Sequence, residues 1–337
     1  MEFEEFSSMA LPEIEANLQQ TLKHYVPHDF PELREMLAYH MGWESLEDVT
    51  NRGGKRIRPL LVLLCANAAG GDWRQALPAA SAVEYIHNFS LIHDDIQDKS
   101  ELRRGRKTVW VKWGIAQAIN TGDLMFTIGH LSMLNLDSEQ NPVIVMKASE
   151  LLLQSCVFLT RGQYNDISYE NRVGVNLDDY WKMIGGKTAA LLSCSAELGA
   201  LIGKADKNLR NNFHSYGYSL GLAFQIQDDW LGIWGDSALT GKAIDSDLAA
   251  GKKTLPILYG LSKNGDFARQ WKKGPIPADE THWLAELLEK EGARQYTEEM
   301  VKQETEKAKE FLDKAVGNLE AGKPLWELTQ MLLERKK

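Results

Sequence analysis

Two acidic clusters close apolar, helix-patterned stretches: Asp94-Asp95-Ile96-Gln97-Asp98 after VEYIHNFSLIH, and Asp228-Asp229 after GYSLGLAFQIQ. Carboxylates in such surroundings are costly unless their charge is offset, and a divalent cation is the usual answer. On a helix, Asp94 and Asp98 lie one turn apart on one face, so together they can hold a hard metal ion. Arg103 and Arg104 follow in a loop containing Gly105, offering planar forks of donors suited to phosphate oxygens. Upstream, Gly53-Gly54-Lys55-Arg56-Ile57-Arg58-Pro59 sets paired glycines before a helix start. Backbone can approach an anion there, with Lys55 and Arg58 on one side of the first turn. His87 shares the helix of the first aspartates and can donate to an anion. Gln225 and Asp229 share a face, with Asp228 adjacent. Lys242, Lys252 and Lys253 follow in a glycine-rich segment able to close over a ligand. Together these residues describe a pocket for Mg²⁺ and a polyphosphate-type anion.

Each signal has a plainer reading. The acidic cluster alone is a solvated helix end, GGKRIRP a loop before a helix, and the later lysines a solvated turn. His87 alone is a satisfied core histidine. Gly185-Gly186-Lys187-Thr188 resembles the tail of a phosphate-cradling loop, but Trp181 stands where the first glycine is required and no strand precedes it. A nucleotide hydrolase is therefore excluded. Lys187 and Thr188 lie in an apolar helical stretch and direct polar groups into a cavity, or Lys187 snorkels to solvent. The chain has no HExxH, no Cys/His quartet and no Gly-x-Ser-x-Gly elbow, which removes zinc and serine hydrolases.

Helical periodicity must position these groups. Leu11, Ile14, Leu18, Leu22 and Val26 form one apolar stripe, Pro27 and Pro31 interrupt it, and Leu33, Met36, Leu37 and His40 begin another. Further helical runs are predicted over 57–69, 76–98, 114–134, 141–167, 177–203, 206–231, 246–261, 281–291, 294–319 and 324–334. Loops are expected over 99–113, 235–252 and 262–280, and strands nowhere. No low-complexity linker divides the chain, so residues 1–337 are read as one all-α domain.

Composition narrows the partners. A net charge of −9 argues against nucleic acid, whose phosphates call for a basic face. Cys65, Cys156 and Cys194 are far apart in apolar stretches and read as reduced, buried thiols of a cytoplasmic protein. The acidic start MEFEEFSSMA is unlike a signal peptide, and no stretch is expected to be apolar enough to span a bilayer.

The order GGKRIRP, LIHDDIQD with RRG, GGKT, FQIQDDWLG, then TGK and GKKT, over residues about 50 to 256, resembles the trans-isoprenyl diphosphate synthase family, the polyprenyl synthetases. The resemblance implies a helical bundle around a deep central cavity, a homodimer, and Mg²⁺-dependent condensation of isopentenyl diphosphate with an allylic diphosphate. Carried over residue by residue, Asp94 and Asp98 ligate two Mg²⁺ with Asp95 supporting, and Asp228 holds a third. Arg103, Lys187, Lys242 and Lys252 touch the allylic diphosphate, whereas Lys55, Arg58, His87 and Arg104 form the isopentenyl diphosphate pocket. Thr188 and Gln225 turn oxygens towards the developing allylic cation. The second motif of the family commonly ends in another aspartate, where this chain has Gly232; Asp236 lies two turns beyond Asp228. Asp228 and water are expected to keep the third ion.

Phe89 and Ser90 lie one turn before Asp94, on the face where the hydrocarbon tail would grow. Only Phe89 is large, which within the resemblance implies geranylgeranyl diphosphate as product, with farnesyl diphosphate as the alternative. The plainer reading of Phe89 is packing between helices. Two other classes compete: a class I terpene cyclase, for which GGKRIRP has no use, and a non-catalytic subunit of a heteromeric synthase, hinted only by Gly232.

Overall fold

A computed structural model describes residues 2–46, 54–136, 141–235, 246–277, 279–317 and 320–333. The chain divides into two compact units, Met1–Cys156 with Cys194–Phe213 and Ala315–Glu327, and Val157–Ser193 with His214–Lys314 and Leu328–Lys337. In chain order the helices are α1 (Phe3–Tyr25), α2 (Pro31–Met41), α3 (Ile57–Ala68), α4 (Leu77–Gln97), α5 (Val109–Trp113) and α6 (Ile115–Leu134). They continue as α7 (Pro142–Asn171), α8 (Leu177–Ile184), α9 (Ala190–Ile202), α10 (Lys207–Trp234), α11 (Ser246–Ala249) and α12 (Leu255–Lys263). The last are α13 (Asp266–Trp271), α14 (Thr281–Lys290), α15 (Ala293–Val316) and α16 (Lys323–Leu333). The all-α expectation holds.

In the first unit, the predicted stripe is buried at Ile14, Leu18, Leu22 and Val26 and half-buried at Leu11, and the buried face extends back through Ala10 and Phe6. Pro31 opens α2 at its first turn, and Gly42, at φ 83°, ends it in the left-handed cap that glycine favours. Leu60 to Ala66 of α3 are buried all round. The carrier of the first acidic cluster, α4, packs against α6 at very short range. A Cβ on Gly122 would lie 2.4 Å from the His93 ring, and one on Gly129 would lie 3.1 Å from Ile86 Cδ1. The seven-residue spacing of these glycines puts both on the α4 side of α6.

In the second unit, Tyr180, Ile184, Ala189, Ile226 and Leu255 share one core cluster, and Ile233, Leu248, Ile257, Phe267 and Leu288 another. Asn176 and Asp179 form a reciprocal capping box that starts α8.

Five expectations are corrected. The segment 99–113 is not all loop: it contains a hairpin of β1 (Leu102–Arg103) and β2 (Arg106–Lys107), turned at Arg104 and Gly105, followed by α5. Two-residue strands are too short to show a period of two. The expected loop 262–280 likewise contains α13, and the expected helix over 246–261 is broken at Gly251, φ 65°. The run 177–203 is interrupted by a π-helical turn at Gly185–Ala189. Finally, α7 is long and apolar enough to cross a membrane by length and composition, with a mean hydropathy of 1.6 in a window only 28% buried. Its exposed face is itself apolar, including Val143, Met146, Leu153, Val157 and Phe158, where no stretch was expected to be apolar enough to span a bilayer.

Candidate active site

In the first unit, the acids sit at the C-terminal end of α4, where the helix dipole disfavours negative charge. Asp98 is the cap, its N–H donating to the Asp94 carbonyl at 2.8 Å. Asp95 is buried and faces the hairpin, where Arg103 Nε reaches its two oxygens at 2.9 and 3.0 Å and a second guanidinium nitrogen lies 2.8 Å from Oδ1. Burial pushes the Asp95 carboxyl up against the opposing pull of Arg103. Asp95 is thus engaged by arginine, while Asp94 is half-buried and Asp98 exposed on one helix face. Among the described residues no three His, Cys, Asp or Glu side chains form a metal cage. A pair of carboxylates one turn apart fits the other regime, in which Mg²⁺ takes one or two carboxylates and completes its shell with water and ligand phosphates.

The GGKRIRP segment is built around a residue that sequence reading passed over. Arg56, at φ 49°, is buried and pairs with Glu15 at 2.7 Å and Glu84 at 2.8 Å, and donates to the Met41 carbonyl at 3.1 Å. Trp43 Nε1 donates to Glu15 at 2.8 Å and Asn88 Nδ2 to Glu84 at 3.0 Å. With Arg56 drawn inward, Lys55 is left exposed and Arg58 half-buried. Arg58 NH1 lies 3.2 Å from His87 Nε2. Arginine only donates, so Nε2 is the bare nitrogen and Nδ1 carries the proton. Burial, then Arg58 and Arg104, hold His87 well below the usual histidine range, hence neutral. Arg104 lies over Gly54, where a Cβ would sit 2.6 Å from its guanidinium. Arg104 therefore lies on Gly54 and Arg58 on His87, with both guanidinium charges acting on that imidazole, while Lys55 follows Gly54 with an exposed side chain. A cavity of about 60 Å³ beside the hairpin is lined by Arg103, Arg104, Arg106 and Lys107, with His40 and Asp95.

Phe89 is T-stacked on His93 with ring centroids 5.2 Å apart, and on Phe126 of α6 at 5.0 Å. Ser90 Oγ donates to the His87 carbonyl at 2.8 Å. Phe126 carried no signal in sequence, because its partnership with Phe89 arises only where α4 and α6 pack.

In the second unit, the π turn at Gly185–Ala189 is packed directly on α7. A Cβ on Gly186 would be 2.6 Å from the Phe158 carbonyl, and one on Gly162 would be 2.1 Å from the Lys187 nitrogen. The glycines of GGKT thus serve close helix crossing. Lys187 pairs with Asp166 of α7. Thr188 Oγ1 donates to Gln225 Oε1 at 2.6 Å, and Gln225 Nε2 donates to Asp229 Oδ1 at 2.9 Å. Asp229 Oδ2 accepts from the Tyr180 hydroxyl at 2.6 Å and the Leu255 N–H at 3.2 Å. Burial pushes the Asp229 carboxyl up to about 7, against the pull of those donors.

Asp228 is half-buried beside it. The space that a side chain at Gly232 would take is filled: a Cβ there would sit 2.2 Å from Asp247 Oδ2. Lys252 is exposed, but Lys253 caps the end of α7, donating to the carbonyls of Tyr169, Glu170 (3.1 Å) and Arg172 (2.8 Å). It is a helix anchor just beyond the 235–252 segment expected to close over a ligand. Gly53, Asp236 and Lys242 lie outside the described residues.

Comparison with known proteins bears on these groupings. The polyprenyl synthetase family model matches residues 43–276. A (2E,6E)-farnesyl diphosphate synthase of Mycobacterium tuberculosis is 42% identical over 286 residues, covering 82% of this chain and 79% of its own. A geranylgeranyl diphosphate synthase of Saccharolobus solfataricus is 36% identical over 98% of both chains. The crystal structure of geranylgeranyl pyrophosphate synthetase from Pyrococcus horikoshii superposes with a TM-score of 0.88 at 32% identity, covering 99% of this chain and 98% of that one.

Proposed function

Since the chain belongs to the polyprenyl synthetase family and is a short-chain prenyltransferase, we propose that it condenses isopentenyl diphosphate with an allylic diphosphate to give geranylgeranyl diphosphate. The observation that carries this reading is the pair of arginines beside GGKRIRP, Arg104 over Gly54 and Arg58 at 3.2 Å from His87, where burial and both guanidinium charges hold that imidazole neutral. Two guanidinium forks and a neutral imidazole suit a diphosphate bound without metal. A cyclase acting on one allylic diphosphate has no use for it.

Asp94 and Asp98 are assigned to Mg²⁺ at the allylic diphosphate, with Asp228 for a further ion. Asp247, whose carboxylate fills the place of the missing side chain at Gly232, is its partner. When bound, Mg²⁺ neutralises charge gathering on the leaving diphosphate. Arg103, Lys187, Lys242 and Lys252 add positive charge to the same anion, with Asp95 and Asp166 holding Arg103 and Lys187 beforehand. The allylic C–O bond breaks with its electron pair leaving on the diphosphate, and Thr188 and Gln225 face oxygens to the cation. The isopentenyl double bond then forms the new C–C bond. A proton passes to the released diphosphate as the new double bond closes.

Phe89 sets the reach of the product, beside the small Ser90. The Phe126 ring stacked on Phe89 at 5.0 Å favours a second reading, the shorter farnesyl diphosphate. The exposed apolar side chains of α7 support a homodimer, and the three buried free cysteines support a reducing compartment, the cytoplasm. Incubation of the purified chain with Mg²⁺, labelled isopentenyl diphosphate and each allylic primer tests the proposal. Label in a linear prenyl alcohol after dephosphorylation is expected. An unlabelled cyclic hydrocarbon, or no turnover, would overturn it.

A further inference from the structure

The prenyltransferase reading uses Thr188 and Gln225 but leaves the buried acid behind them without work. We infer that Asp229, held by Tyr180, is a positioning residue that orients Gln225 and Thr188 towards the allylic cation and ligates no magnesium. The inference deepens the proposed function and rests on it.

The geometry sets the proton directions along the chain when Asp229 is ionised. An ionised carboxylate accepts only, so Gln225 then turns its amide NH₂ to Asp229 Oδ1, at 2.9 Å. Its carbonyl oxygen then faces Thr188, whose hydroxyl proton it accepts at 2.6 Å. The lone pairs of Thr188 Oγ1 are left outermost. Without Asp229, the amide can turn over and the threonine can rotate. The carboxylate is held in turn by the Tyr180 hydroxyl at 2.6 Å and the Leu255 N–H at 3.2 Å, so both oxygens are occupied by protein donors. That separates Asp229 from its half-buried neighbour Asp228.

The arrangement also suits the chemistry. A carboxylate in contact with an allylic cation would capture it as an ester. Set two hydrogen bonds back, its charge polarises the amide and hydroxyl oxygens and leaves no nucleophilic oxygen at the reacting carbon. Tyr180 is fully buried, on a helix whose start is fixed by the Asn176–Asp179 capping box, so the donor at the far end is rigid.

The test compares Tyr180→Phe, Asp229→Asn, Thr188→Ala and Tyr180→Phe/Thr188→Ala in single-turnover reactions of the full chain. Tyr180→Phe should slow the chemical step on the order of tenfold, the share of a hydrogen bond to a charged group, with both KM values unchanged. In the Thr188→Ala background it should add nothing, because the end of the relay is gone. Magnesium affinity, read by calorimetric titration, should be unchanged in Asp229→Asn and weakened in Asp228→Asn. Multiplying losses in the double variant, or weakened magnesium binding in Asp229→Asn, would overturn the relay. If Asp229→Asn does not fold, the Gln225 side-chain amide resonance in Tyr180→Phe decides: a shift supports the relay and an unmoved resonance refutes it. That measurement needs no turnover, so an inactive wild-type chain would sink the prenyltransferase reading and leave the relay separately testable.

Discussion

Each unit buries an ionisable side chain, Arg56 in the first and Asp229 in the second, and the two are treated differently. Arg56 is answered by two glutamates, so its charge is spent inside the protein. Asp229 is held by neutral donors, a phenol, an amide and a backbone N–H, which leave the charge of its ionised form uncancelled along the hydrogen-bond chain. A cancelled charge fixes a loop; an uncancelled one projects a field. The first reads as architecture that turns Lys55 and Arg58 outward. The second reads as electrostatics prepared before the reaction.

The sharpest way to break the contrast is to remove a group outside both networks. Asp94→Ala should cut turnover by roughly a thousandfold or more while leaving the melting temperature unchanged, since it removes a metal ligand and no core contact. Wild-type rates would remove the metal assignment. Next, Arg56→Met should cost about 3–5 kcal/mol in denaturant unfolding, because it strands two buried glutamates. A loss near 1 kcal/mol would mean that the glutamates relax into water and that the cluster is not architecture.

Acid should act on the first unit in the same sense. Burial, then Arg103 and Arg104, lower His40 to about 3, and His87 is lowered well below its usual range. Both folded values lie under the unfolded value near 6.5, so their contribution is complete above that pH. It falls as pH drops towards the folded values, by at most about 1.4 kcal/mol per pH unit per histidine. Urea melts at pH 7.5 and 5.5 check this, and a flat profile would refute it. Smaller still, Phe89→Ala and Phe126→Ala should each lengthen the product, read by chromatography of the dephosphorylated alcohols. An unchanged spectrum in both would leave these rings as helix packing. Lys253→Met should cost about 0.3–1 kcal/mol through the end of α7, with activity unaltered.

Much of this was legible in the chain. The acidic clusters, the arginine pair and GGKRIRP were found as local strings, and helical periodicity placed them on helices or at helix ends. What sequence hid were groups defined by contact. Glu15 and Glu84 look like solvent-side acids of amphipathic helices until Arg56 folds between them. Tyr180 looks like one more core aromatic, although its hydroxyl ends on a carboxylate 49 residues away. Gly232 looks like a lost ligand, yet the carboxylate of Asp247 stands in the same space. The apolar outer face of α7 was obscured because its period fits an ordinary core helix.

The widened winding at Gly185–Ala189 carries one residue more than an α-helix would hold there. Deleting that residue would turn everything after it by about 100°. Lys187 could then keep Asp166, or Thr188 could keep Gln225, but a regular spiral would not serve both neighbours at once.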